Sequence, residues 1–207
     1  MFGKLREYRI VPVVAVDSAE EGLRLCEALM AGGLPVAEVT FRTGAAEATI
    51  REVAKRFPEM LLGAGTVLTV DQVKRAADAG AKFAVAPGCN PTIVAAAKAA
   101  GLPFAPGVCT PSDIERALEC GCKLMKFFPA EAAGGVPMLK ALIGPYGHLG
   151  VSFCPTGGIN TENLKSYLAL PQVAFVGGTW IAKKNLIAAG DWAGITKLAA
   201  EALAARE

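Results

Sequence analysis

Histidine is nearly missing from this 207-residue chain, with His148 the single example. Its six cysteines, Cys26, Cys89, Cys109, Cys120, Cys122 and Cys154, form no CxxC pair. A zinc centre would lack its usual ligands at usable spacing, so no metal is expected. An excess of one charge is missing as well: 21 basic and 19 acidic residues leave a net charge of +2, mixed along the chain without blocks. Nucleic-acid binders show a basic patch or stripe, so no nucleic acid is expected as a partner. The longest stretch without Asp, Glu, Lys or Arg, Ala141 to Thr161, contains Pro145, Pro155 and five glycines, which excludes a membrane helix there. The first residues carry Lys4, Arg6 and Glu7 and lack the apolar core of a secretion signal. These absences fit a cytoplasmic protein with reduced, mostly buried thiols.

What is abundant is apolar. Hydrophobic residues make up 53% before the 23 glycines are counted, and charged residues only 19%, which excludes a disordered chain. Eight short apolar runs begin near Val11, Val36, Leu61, Phe83, Pro103, Leu124, Ser152 and Val173. Most are continuous rather than alternating, as in parallel strands covered on both faces. The segments between them carry helical periodicity; Ala46, Ile50, Val53, Ala54 and Phe57 share one face. Helix starts are marked by Ser18 with Glu21, Thr69 with Gln72, Asn90-Pro91 and Thr110-Pro111. Eight evenly spaced βα units predict a closed (β/α)8 TIM barrel, with an open doubly wound sheet as the alternative. Residues 1–207 read as a single domain, without linker or low-complexity segment. The C-terminal ends of the strands are where chemistry is expected.

Within the strand cores only Glu38 and Lys126 are ordinarily charged. A buried charge costs several kcal/mol unless paired or neutralised, so the two need a reason. One is a structural ion pair; the other is catalysis. Alternation along a strand points Lys126 inward with Leu124 and Phe128, leaving Lys123 on the other side or in the preceding turn. Val36, Glu38 and Thr40 share a face, with Arg42 just beyond, so Glu38, Arg42 and Lys126 can converge at one mouth. Desolvation favours a neutral amine, the form that attacks a ketone to make a Schiff base, and a nearby carboxylate can move the protons.

Glycine pairs follow the seventh and eighth strands, at Gly157-Gly158 and Gly177-Gly178. Backbone N–H groups there can approach a phosphate, at the loops where this kind of barrel binds one. Side-chain bulk at Gly158 or Gly178 is then expected to obstruct it. Thr66, closing the Gly63-Ala64-Gly65-Thr66 run, offers a hydroxyl at the same mouth, or caps locally.

The segments Glu38-Val39-Thr40-Phe41-Arg42-Thr43, Gly63 to Leu68, Lys126-Phe127-Phe128-Pro129-Ala130-Glu131 and Pro155 to Ile159 resemble the signatures of bacterial 2-keto-3-deoxy-6-phosphogluconate (KDPG) aldolases. The resemblance runs from about Ile10 to the last helix, with the motifs in matching order. It implies a class I, cofactor-free aldolase that cleaves KDPG to pyruvate and glyceraldehyde 3-phosphate, and often 4-hydroxy-2-oxoglutarate to pyruvate and glyoxylate. It implies Lys126 as the Schiff-base lysine and Glu38 as the acid/base. Arg42 and Thr66 would hold the pyruvate carboxylate, and Pro87 and Phe128 would line the pocket. Gly157, Gly158, Gly177, Gly178 and Thr179 would hold the phosphate end, and the assembly would be a homotrimer. Many members carry serine at the position of Thr179, and some an arginine near Val16-Asp17, where this chain has no cation. The alternatives are a phosphosugar isomerase or epimerase using Glu38 as base, an aldolase for the galactonate epimer, and a catalytically silent phosphate-binding barrel.

Overall fold

The computed structural model describes residues 2–206. After α1 (Phe2–Tyr8), strands and helices alternate: β1 (Ile10–Val14), α2 (Ala19–Ala31), β2 (Val36–Thr40), α3 (Ala46–Arg56), β3 (Leu61–Gly65), α4 (Val70–Asp78), β4 (Phe83–Val85) and α5 (Pro91–Ala99). Two short strands follow, β5 (Phe104–Ala105) and β6 (Gly107–Val108), then α6 (Pro111–Glu119), β7 (Leu124–Phe127) and α7 (Gly135–Tyr146). The chain ends with β8 (Ser152–Phe153), α8 (Leu164–Leu168), β9 (Val176–Gly178), α9 (Lys184–Ala188) and α10 (Trp192–Ala205).

Helix starts fall where the sequence marks them. Ser18 accepts the Glu21 N–H at 3.1 Å, while the Glu21 carboxylate reaches back to the N–H of Asp17 at 2.7 Å. Thr69 and Gln72 make the same exchange, with Gln72 reaching Leu68. Thr110 and Asp113 form a complete capping box in front of α6, with Pro111 in its first turn.

A closed eight-stranded barrel does not form. The strands make a six-stranded parallel sheet in the order β5-β4-β3-β2-β1-β9, a half-barrel, and a separate three-stranded sheet, β6-β7-β8. The break lies inside the run expected as one strand from Pro103. Pro106 has no N–H to donate, so Phe104–Ala105 pairs with β4 and Gly107–Val108 with β7. On the far side, Pro155 interrupts the approach of β8 to β9, and only isolated bridges, Phe153 to Val173 and Thr156 to Gly177, remain. Strands and helices thus alternate as expected, but the described residues hold ten α-helices rather than eight and the strands do not close a continuous ladder.

Two further features depart from the sequence reading, a first helix it did not include and thiols less buried than it expected. The charges of α1 conceal Leu5, which is fully buried, and Phe2, whose ring meets Phe83 edge-on at 6.2 Å between centroids. This helix covers the N-terminal ends of the strands. Among the cysteines only Cys26 and Cys154 are buried, and the other four are half-buried. Leu5→Ala should cost about 2–5 kcal/mol in urea denaturation, the range for truncating a fully buried leucine. A stability unchanged by this substitution would mean that α1 contributes nothing to the core.

Candidate active site

At the C-terminal ends of the strands lies a cavity of about 240 Å³. Glu38 enters it from β2 and Lys126 from β7, so each sheet supplies one of the two charges. Both are buried, at 3% and 5% exposure, and the Lys126 Nζ donates to the Glu38 Oε1 at 3.0 Å. The register that brings Glu38 here sets it beside Gly63 of β3 and Val13 of β1. Its carboxylate fills the space above Gly65, where a Cβ would lie 2.2 Å from the Oε1. The Lys126 ammonium sits 5.6 Å from the centre of the Phe128 ring. Lys123 lies just before the strand, exposed, the second of its two expected places, and donates to the Leu149 carbonyl at 3.1 Å. Near the pair, burial pushes the Cys154 thiol up to about 12, with Lys126 pulling it down and Glu38 pushing it up. A thiol in that state stays protonated and does not compete as a nucleophile.

Arg42 is exposed at the rim. Its Nε donates to the Thr40 Oγ1 at 3.1 Å, and the Thr40 hydroxyl in turn donates to the Val14 carbonyl at 2.9 Å. Among the described residues Arg42 has no carboxylate partner. Its charge therefore faces the cavity without a neutralising neighbour. Thr66 also lines the cavity, on a backbone with φ of 56°. A β-branched residue in that left-handed region is strained, a condition that clusters at functional sites. The helix cap is Thr69 rather than Thr66, so the hydroxyl of Thr66 is not committed to capping α4. Pro87 and Phe128 complete the apolar wall.

Across the cavity stand Gly157 and Gly158, both left-handed, with φ of 104° and 78°. Among the described residues neither their N–H groups nor that of Thr179 enter backbone hydrogen bonds outside the regular elements. Gly178 and Thr179 line the cavity too. Gly177 stands apart: its N–H donates to the Pro155 carbonyl at 2.8 Å, and a Cβ there would lie 2.4 Å from the Thr156 Oγ1. It brings β9 close to the chain around Thr156 and does not itself line the cavity. Bulk at the neighbouring glycines acts differently from the sequence-based expectation. A Cβ at Gly178 would meet the Trp180 ring at 1.7 Å, and one at Gly158 the Glu131 side chain at 2.6 Å. Substitution there collides with the protein before any ligand.

Four cavity residues, Val13, Thr40, Thr156 and Ile159, were not singled out from the sequence. Thr40 had a readable signal in its shared parity with Glu38 and Arg42. A wider cavity of about 580 Å³ shares Val13, Arg42 and Thr179 with the first and adds Asp17, Lys183 and Lys184. Among the described residues no three His, Cys, Asp or Glu side chains gather as a metal-binding group.

A buried lysine touching a carboxylate, beside an unpaired arginine and free backbone amides, defines an enzyme equipped for covalent chemistry on the carbonyl of an anion. Comparison with known proteins agrees. The family described as KDPG and KHG aldolase matches residues 2–198. The 2-dehydro-3-deoxy-phosphogluconate aldolase of Haemophilus influenzae is 48% identical over 200 residues, 97% of this chain and 93% of the relative. A crystal structure of KDPG aldolase from Legionella pneumophila, with pyruvate captured as a covalent carbinolamine, superposes with a TM-score of 0.92 at 42% identity, covering 97% of each chain. That of the Zymomonas mobilis enzyme with 3-phosphoglycerate superposes with a TM-score of 0.89 at 37% identity, covering 98% of this chain and 95% of that one. The chain belongs to the KDPG and KHG aldolase family.

If Thr40 holds Arg42 toward a bound carboxylate, Thr40→Val should raise the pyruvate concentration needed for half-maximal borohydride trapping. The expected factor is about three to ten, the worth of one hydrogen bond. Trapping yield against pyruvate concentration, read by mass spectrometry, measures it; an unchanged midpoint would detach Thr40 from ligand binding.

Proposed function

We propose that this protein is a class I aldolase that cleaves KDPG to pyruvate and glyceraldehyde 3-phosphate, and also cleaves 4-hydroxy-2-oxoglutarate to pyruvate and glyoxylate. The observation that carries the reading is the 3.0 Å contact between Lys126 and Glu38 inside the cavity. At that distance Glu38 can take a proton from the lysine, leaving the amine free to attack the C2 ketone. Loss of water from the carbinolamine gives an iminium at C2, next to the C3–C4 bond, that can accept its electron pair. Removal of the C4 hydroxyl proton then breaks the C3–C4 bond: the aldehyde leaves and the electron pair passes into the enamine. Protonation at C3 and hydrolysis release pyruvate and regenerate Lys126.

Arg42 and Thr66 bind the carboxylate at C1. Gly157, Gly158, Gly178 and Thr179 receive the phosphate at the other end, through backbone N–H groups and one hydroxyl. Pro87 and Phe128 keep the reacting carbons in an apolar wall, and no cofactor takes part. The protein acts as a homotrimer in the cytoplasm. The trimeric state follows the family resemblance, and the exposed Leu68 and Val70, at 52% and 49% exposure beside the mouth, support self-association. The half-exposed thiols suit a reducing compartment.

Borohydride reduction in the presence of pyruvate should fix a three-carbon adduct on Lys126, found by mapping the digested peptide. A label on Lys123, or none, overturns the reading; an isomerase using Glu38 alone would give none. Cleavage should persist after exhaustive chelation, measured by coupled pyruvate release. Glu38→Gln keeps the size of the side chain but cannot shuttle protons, so turnover should fall by about 10²–10⁴-fold. A fall of less than about tenfold would return the pair to a purely structural role.

A further inference from the structure

Glu131 ends the motif that begins at Lys126, yet none of the steps above uses it. It lies against the phosphate-facing turn. The N–H of Ala130 donates to the Thr156 carbonyl at 2.8 Å, and that of Glu131 to the Gly157 carbonyl at 3.0 Å. The stem of the Glu131 side chain covers Gly158 so closely that a Cβ there would lie 2.6 Å from the Glu131 Cβ and 2.7 Å from its Cγ. At its tip the Glu131 Oε1 accepts a hydrogen bond from the Tyr167 hydroxyl. Tyr167 is fully buried on α8, the helix that follows the turn. The same turn is held from below, where the Asn163 Nδ2 donates to the Gly158 carbonyl at 3.1 Å.

Two consecutive left-handed glycines have no side chains of their own to fix them, and glycine loses more freedom on ordering than any other residue. A turn that presents N–H groups to a ligand binds well only if it is ordered beforehand. Glu131 carries a negative charge beside this turn, which direct contact with a phosphate would make unfavourable. Its oxygen points instead to Tyr167. We propose that Glu131, anchored by Tyr167, is a positioning residue that locks the Gly157-Gly158 turn in its amide-presenting shape and so sets the affinity for the phosphate end of the substrate. The proposal rests on the reading of that turn as the phosphate site.

Tyr167→Phe removes only the hydroxyl, and the exposed Glu131 carboxylate can then turn to water. Calorimetric titration with inorganic phosphate should show binding weakened about five- to tenfold, the size of one ordinary net hydrogen bond. KM for KDPG should rise by a similar factor with kcat little changed, while KM for 4-hydroxy-2-oxoglutarate, which has no phosphate, moves far less. Glu131→Ala should do the same, and Glu131→Gln, which keeps an oxygen for Tyr167, should recover most of the loss. Parallel changes for both substrates, phosphate binding equal to that of the unaltered protein, or an unaltered protein that binds no phosphate would each overturn the proposal. Pyruvate trapping on the unaltered protein reads the aldolase assignment separately, since phosphate titration decides the role of Glu131 whether or not Lys126 is labelled.

Discussion

Taking an ammonium and a carboxylate out of water together is worthwhile only while each has the other. Removing one partner of such a pair typically costs about 3–5 kcal/mol, because the survivor is left buried and uncompensated. Lys126 and Glu38 meet this condition from different sheets. Their contact therefore joins the small β6-β7-β8 sheet to the half-barrel across the cavity, from the middle strand of one to an inner strand of the other, away from the two places where the backbone ladder fails. The contact proposed to be catalytic is also a structural tie.

Room for that contact comes from side chains that are not there. Gly63 admits the Phe83 ring, Gly65 the Glu38 carboxylate and Gly107 the Pro87 carbonyl, each within about 2.2 Å of where a Cβ would stand. These glycines lie in strands, where the residue ordinarily weakens a sheet. Here each marks a close approach, and two of the residues they admit, Glu38 and Pro87, line the cavity. The same logic separates the two glycines of β9. Gly177 accommodates Thr156 and Gly178 accommodates Trp180, and only Gly178 of the pair lines the cavity.

How much of this was legible depended on the range of the interaction. Helix starts were readable because capping is local, decided within four residues, as at Ser18 and Thr110. Glu38 and Lys126 were readable because a charge in an apolar strand is conspicuous whatever it pairs with. Closure of the sheet was not readable from periodicity, since that signal counts strands without saying whether their N–H groups find partners. The prolines at 106 and 155 held that information. The α1 helix escaped because its one buried anchor, Leu5, is too little for a periodic pattern. Glu131 was visible as part of a motif, but its partner Tyr167 lies 36 residues away and only the folded chain brings them together.

The left-handed backbone at Thr66 puts the stability of the fold and the equipment of the site in opposition. A glycine there would relieve strain of order 1–3 kcal/mol, and an asparagine would tolerate the conformation better than a β-branched residue. Either would make the protein harder to melt while removing the hydroxyl from the cavity wall. A selection for heat resistance alone would therefore favour losing that hydroxyl, so the strain kept at Thr66 sets the firmness of the fold against the make-up of the cavity wall.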